Sequence, residues 1–418
     1  MGRGSISHRR ILLVPDQVWT DGETHRGWCV LVEGVRIAAV GSRPSIGEVR
    51  DCEVIELGDC TLLPGLMDLH SHLFLHPYNE TSWDDQVLKE PEAYRTARAV
   101  RHAGATLMAG FTTLRDLGTE GAGYADVSLK RAIEDDIVKG PRLFVAGRAI
   151  VATGSYGPAR RNYRIDCCFP QAALEASGVD EIVRAVRLEA AHGADWIKLY
   201  GDYRTGPHGD TRPTFSQEEL NAAVATAHDL GRPVAVHAMT AEAMRRAVRA
   251  GVQTIEHGYG GSRETFSLMR ECGVAFLPTL SAPEAIGSYF SGYVSGESDP
   301  TESMQMAEHG FRNALGEAVT IGCGSDVGVF PHGTNVRELM WMARLGMSPS
   351  QVLASATSIS AAILGKQNEL GSLKPGYFAD AVGVTGDPAK DIRQLSGASF
   401  IMKSGNIVFQ PAGLNPRL

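Results

Sequence analysis

The chain has 418 residues, 43% of them hydrophobic and 21% charged, with a formal net charge of −8. This is an ordinary globular composition, and it excludes a disordered, collagenous or coiled-coil protein. Lysine and arginine are scattered rather than blocked, so neither a nucleic-acid partner nor an anionic membrane surface is indicated.

At the N-terminus the apolar run Ile11–Val14 follows Arg9-Arg10 and stops at Pro15-Asp16. That is short of the roughly 7–15 residues of a signal h-region. No apolar stretch approaches the ~18 residues of a membrane span. Ile6 stands where an N-myristoylation signal beginning at Gly2 needs Ser or Thr. The expected location is cytoplasmic. The seven cysteines have no C-x-x-C spacing, which argues against a disulfide framework and against a thiolate zinc site.

Residues 10–62 alternate apolar and polar positions in short runs such as Trp28–Val32 and Arg36–Val40, broken by Gly34 and Gly41. Period-two patterning with glycine turns predicts β-structure. Residues 376–410 repeat the pattern, and the two ends are expected to pair as one small β-sandwich. The domain reading is residues 1–62 and 368–418 for the sandwich and 63–367 for the middle.

The middle alternates short apolar strands with helical patterns. Eight strands are expected, centred on Leu66–Leu69, Thr112–Leu114, Leu143–Val145, Trp196–Leu199, Val234–Val236, Thr254–Glu256, Ala275–Leu277 and Thr320–Gly322. Ser216 and Glu219 form a capping box before an apolar-periodic run. Eight strand–helix units predict a (β/α)8 TIM barrel, whose functional groups gather at the C-terminal ends of the strands. The segments 153–178, 200–215 and 280–305 read as long loops that build the substrate pocket.

The strand ends carry the chemistry. The first closes with His70-Ser71-His72, the fourth with Lys198, the fifth with His237, the sixth with His257 and the eighth with Ser325-Asp326. Side chains two apart on a strand share a face, so His70 and His72 turn together. A histidine at any one of these places is most often a satisfied core residue. Matching positions on neighbouring strands favour a metal site. Lys198 sits in the apolar stretch Trp196–Tyr200, where an ammonium is costly. A neutral lysine there can add carbon dioxide and become a carbamate able to bridge two cations. Imidazole and carboxylate donors without thiolate suit zinc.

The stretches Leu63–His72, Gly110–Asp116, Gly193–Lys198, Thr254–Gly258 and Gly371–Asp380 resemble the amidohydrolase superfamily, in its branch with a carboxylated lysine. Within it, the chain is similar to Xaa-Pro dipeptidases, lysine/arginine carboxypeptidases, ochratoxin amidases and imidazolonepropionase-related sequences. The resemblance implies two divalent metal ions. His70, His72 and Asp326 would hold one, His237 and His257 the other, and N6-carboxylated Lys198 would bridge them. It implies a bridging hydroxide as nucleophile and Asp326 as the group that moves its proton. The implied enzyme cleaves the carbon–nitrogen bond of a small amide such as a dipeptide or N-acyl amino acid. A lactone, a cyclic amide, a carbamate or a mononuclear deaminase reaction stands as the alternative.

Related dipeptidases carry a histidine in Thr-Gly-Gly-His-Gly after the third strand. Here the stretch is Thr153-Gly154-Ser155-Tyr156-Gly157, with Tyr156 in its place. Tyr203 resembles the family's fourth-strand tyrosine. Both are candidates to contact substrate, as are Arg204 and His332. Arg160, Arg161, Arg164 and Arg212 join Arg204 as candidate carboxylate partners, most of them expected to be solvated loop charges. The partner is a small molecule, and self-association stays open. His8, His25, His102, His192, His228 and His309 read as surface positions without a role.

Overall fold

A computed structural model describes residues 9–47 and 49–410. The readings at Gly2, Ile6 and His8, and the outer ends of the sandwich segments, lie outside the described residues.

The chain divides into two compact units. The first takes in the chain up to Met67, residues Ala105–Thr113 and the chain from Met342 onward. The strand Glu53–Pro64 organises its sheet. It pairs in parallel with Arg10–Thr20 and antiparallel with Ala381–Thr385, so both chain ends enter one continuous eight-stranded sheet. Alternation explains the packing. Ile11 and Leu13 join one apolar cluster, with Val30 and Phe400, whereas Leu12 joins another with Cys29 and Leu31. Successive side chains of a strand point to opposite faces, so one strand feeds two cores.

The second unit spans Asp68–Gly104 and Leu114–Trp341. Its strands Ile197–Tyr200, Val234–Thr240, Thr254–Gly260 and Ala275–Leu277 pair in parallel, in chain order. Helices Val179–Ala191, Gln217–Asp229, Ala241–Ala250 and Arg263–Glu271 alternate with them. The capping box of Ser216 and Glu219 is present at the start of Gln217–Asp229. The expected eighth strand is only a parallel bridge, Phe276↔Ile321. Backbone bonds continue from there, Leu69 N to Cys323 O at 2.8 Å and Asp326 N to His70 O at 2.8 Å. These bonds bring the Asp326 turn beside the His70–His72 strand end.

Two expectations need correction. The segment 280–305 is not an open loop, because it holds the helix Ser281–Phe290 and the start of Glu302–Gly316. His102 is buried, not on the surface, with its Nδ1 2.8 Å from the Leu73 carbonyl. Among the described residues no helix is long and apolar enough to cross a membrane.

Candidate active site

His70, His72 and Asp326 converge, with one ligand atom from each within 4.8 Å of the others. His70 Nε2 lies 3.5 Å and His72 Nε2 3.3 Å from Asp326 Oδ1. Each histidine spends its other nitrogen outward. His70 Nδ1 donates to Glu256 Oε2 at 2.8 Å, and His72 Nδ1 donates to the Gly118 carbonyl at 2.9 Å. His257 Nδ1 is 2.8 Å from the Thr279 hydroxyl. Such outer partners fix the tautomer that leaves Nε2 with a lone pair, as metal-ligating histidines require.

His257 packs against both neighbours, its ring 4.9 Å from His70 and 4.5 Å from His237. His237 stacks on Tyr200 at 4.5 Å, with Nε2 3.6 Å from Asp202 Oδ1. Lys198 is 1% exposed, and its Nζ has no hydrogen-bond partner among the described residues. The Tyr200 ring lies 5.4 Å from it, and the charges of Glu256 and Asp326 act on it.

Electrostatics follow from this crowding. Burial lowers the His70 pKa to about 4, with Lys198 adding to the effect. Burial also opposes charge on His72, but the hydrogen bond and charge of Asp326 win and raise it to about 9. Asp326 resists burial because the surrounding histidines hold its carboxyl well below the usual range. Burial brings Lys198 down to about 8. His70, His72 and Asp326 form a donor set able to hold a metal ion, near a buried amine without a hydrogen-bond partner among the described residues.

The sequence model of the amidohydrolase family matches residues 61–408. The chain belongs to the amidohydrolase family. Ochratoxinase of Aspergillus niger is 28% identical over 97% of this chain and 86% of its own length. A solved Xaa-Pro dipeptidase with methionine bound in its active site is 30% identical, covers 96% of this chain and 100% of its own, and superimposes with a TM-score of 0.84. A prolidase complexed with N-methylphosphonate-L-proline is 28% identical, with coverage of 96% and 100% and a TM-score of 0.83. The fold is accordingly TIM-barrel-like α/β. As an amidohydrolase the chain is an amide-hydrolysing enzyme of small molecules, in a family that generally uses metal ions.

Above the histidines of this amidohydrolase opens a cavity of about 880 Å3. Tyr156, Tyr203 and Arg204 line it, and His332 does not. His332 instead stacks on His102 at 4.2 Å and holds the Leu75 carbonyl with Nε2 at 3.0 Å. The Tyr156 hydroxyl donates to Glu120 Oε2 at 2.7 Å, whereas the Tyr203 hydroxyl makes no hydrogen bond among the described residues. Of the loop arginines, Arg160 pairs with Glu175, Arg164 with Asp166 and Arg212 with Asp210. Arg161 is exposed and does not line the cavity, which leaves Arg204.

Sequence reasoning missed the outer layer. Glu256 is fully buried and also accepts from Arg115 Nη2 at 2.8 Å, while the Arg115 guanidinium lies over the Trp196 ring. Asp68 accepts from His70 N at 3.1 Å, Ser325 N at 3.0 Å and Asn335 Nδ2 at 2.7 Å. It thereby ties the first strand end to the Asp326 turn. The signal for both was available, since each is an acid inside an apolar strand, Leu66–Leu69 and Thr254–His257.

Proposed function

We propose that this site hydrolyses the amide bond of a small dipeptide-like or N-acyl amino acid substrate with two divalent ions, zinc by the chemistry of the donors. The observation that carries the reading is the buried Lys198 Nζ, without a hydrogen-bond partner among the described residues, near histidines whose Nδ1 atoms are already engaged. Addition of carbon dioxide to that amine forms an N–C bond and releases a proton. It turns an orphaned nitrogen into two oxygens able to bridge cations. His70, His72 and Asp326 would hold one ion, His237 and His257 the second, with carboxylated Lys198 between them.

When bound, the ions would polarise the scissile carbonyl and acidify a water molecule. The chain's own groups do the rest. Asp326 accepts the proton of the attacking water and delivers it to the leaving nitrogen. Tyr203, with its hydroxyl uncommitted, donates to the carbonyl oxygen as charge develops there. Arg204 makes no ion pair among the described residues and is placed on the cavity wall to take a substrate carboxylate. Residues 63–367 would form the closed barrel, and the end segments 1–62 and 368–418 a small β-sandwich.

The test is a hydrolysis panel of dipeptides, N-acyl amino acids, lactones, cyclic amides and carbamates, run before and after chelation and zinc re-addition. Amide cleavage that chelation abolishes and zinc restores is expected. Turnover of lactones or cyclic amides alone, or turnover indifferent to chelation, overturns the reading.

A further inference from the structure

Glu120 is a carboxylate that the proposed reaction does not use. It is 2% exposed, yet it lines the active-site cavity. Its backbone has φ of 51°, in the left-handed region that residues other than glycine rarely adopt. The surroundings hold it there. Buried Arg95 donates from Nη1 to the Glu120 carbonyl at 2.7 Å, from Nη2 to the Thr119 carbonyl at 3.0 Å and from Nε to the Phe74 carbonyl at 3.0 Å. Two of the three nitrogens of a buried guanidinium are spent on fixing this turn, and the third ties it to Phe74. Strain that its neighbours over-determine points to function.

The side chain is equally constrained. Oε2 accepts from Tyr156 OH at 2.7 Å and from Trp83 Nε1 at 3.2 Å. Among the described residues Oε1 has one long contact, 3.4 Å from Tyr200 OH. The two tyrosine oxygens are 3.2 Å apart. A phenol has one proton and a carboxylate can accept about four hydrogen bonds. Each phenol is placed to donate its proton to Glu120, all three residues line the cavity, and Oε1 keeps capacity for a strong donor. Aromatic rings close the surround, with Tyr156 at 5.2 Å from Trp83 and 4.8 Å from Tyr203. Lone pairs, a carboxylate and π-faces recognise a cationic N–H donor and repel an oxyanion.

We propose that Glu120 receives the free α-ammonium group of the substrate. The enzyme then acts on aminoacyl amides with an unblocked amino terminus and rejects the N-acylated forms. This rests on the amide-hydrolase reading above and narrows its substrate class. Arg204 and Glu120 would grip opposite charges at the two ends of a zwitterionic dipeptide. Tyr156 serves the ammonium site rather than the carbonyl oxygen.

The experiment compares leucyl-, methionyl- and phenylalanyl-proline, each with its amino group free and acetylated, on the zinc-loaded wild type, Glu120→Gln and Tyr156→Phe. Thermal melting of each variant controls for folding. Glutamine keeps an oxygen acceptor for Trp83 and Tyr156, so Glu120→Gln is expected to fold. Wild type is expected to favour the free forms by at least about 30-fold in kcat/KM, the scale of losing one partner of a buried charge pair. Glu120→Gln should bring that ratio toward one, chiefly through KM, and Tyr156→Phe, which leaves the carboxylate in place, should lower it by a smaller factor. Equal use of free and acetylated forms by wild type, or an unchanged ratio in folded Glu120→Gln, overturns the proposal and leaves the amide-hydrolase reading standing. A larger loss of the ratio in Tyr156→Phe than in Glu120→Gln overturns a direct role for Glu120. Cleavage of neither form overturns the proposal together with the dipeptide reading.

Discussion

Glu256 Oε2 takes the Nδ1 proton of His70 at 2.8 Å, deep beneath the cavity floor. The same carboxylate pairs with buried Arg115, and the two hold the Glu256 pKa down at about 2 against burial. One ion pair therefore fixes the ring on which the centre is built. Glu256→Gln is expected to weaken metal affinity by about 10–100-fold, the usual cost of losing an outer-shell partner. It leaves Arg115 buried without its counter-charge, so a stability loss of about 3 kcal/mol should accompany it. Metal titration and denaturant unfolding read the two effects separately.

The approach of the Asp326 turn to His70 depends on Gly324. A Cβ there would lie 2.9 Å from His70 Cβ and 3.1 Å from Leu277 Cβ, with backbone-anchored atoms on both sides. Gly324→Ala is expected to cost about 1–3 kcal/mol, as overpacking does. It should also lower metal affinity, because the His70–Asp326 spacing opens. A variant as stable and as metal-loaded as wild type would show that the close approach is not needed.

These contacts mark where sequence reading ends. Histidines and an aspartate at the ends of apolar strands were legible because strand alternation fixes the face on which they fall. Lys198 was legible because an ammonium inside Trp196–Tyr200 has no solvent to enter. Glu256 was passed over because its neighbour His257 explained the strand end by itself. Glu120 depends on Arg95, Trp83 and Tyr200, which the fold assembles from distant segments, so no local pattern announces it. The helix Ser281–Phe290 was hidden by Pro283 and Gly287. Proline is tolerated in a first turn, and glycine costs a helix only about 1 kcal/mol when packing compensates.

His102 gives the fold a titratable weak point. Burial pushes its imidazole down to about 4, from about 6.5 in an unfolded chain. Between those values the unfolded state binds a proton that the folded state does not. Stability is therefore full above about pH 6.5 and falls as pH drops toward 4. This residue alone is expected to account for about 2 kcal/mol of the loss between pH 7 and pH 5. His102→Gln should flatten that limb of the unfolding profile, read by denaturant titration at each pH. An equally steep limb in the variant would place the acid sensitivity elsewhere.

Tyr203 and Tyr156 line the same cavity but differ in the fate of their proton. Tyr156 gives its proton to Glu120, and Tyr203 keeps its own available. Tyr203→Phe is expected to lower kcat about 100-fold with little change in KM, the scale of an oxyanion donor. Tyr156→Phe should act mainly on KM. Steady-state kinetics on one amide substrate separates the two, and the reverse pattern would exchange their roles.

Metal content per chain tests most directly whether Lys198 joins two metal ions, as proposed. Wild type and Lys198→Ala would be expressed side by side with added zinc and bicarbonate, then measured by elemental analysis. About two ions are expected in wild type, falling to one or none in the variant. The same content in both proteins would contradict the proposal and leave Lys198 a structural residue.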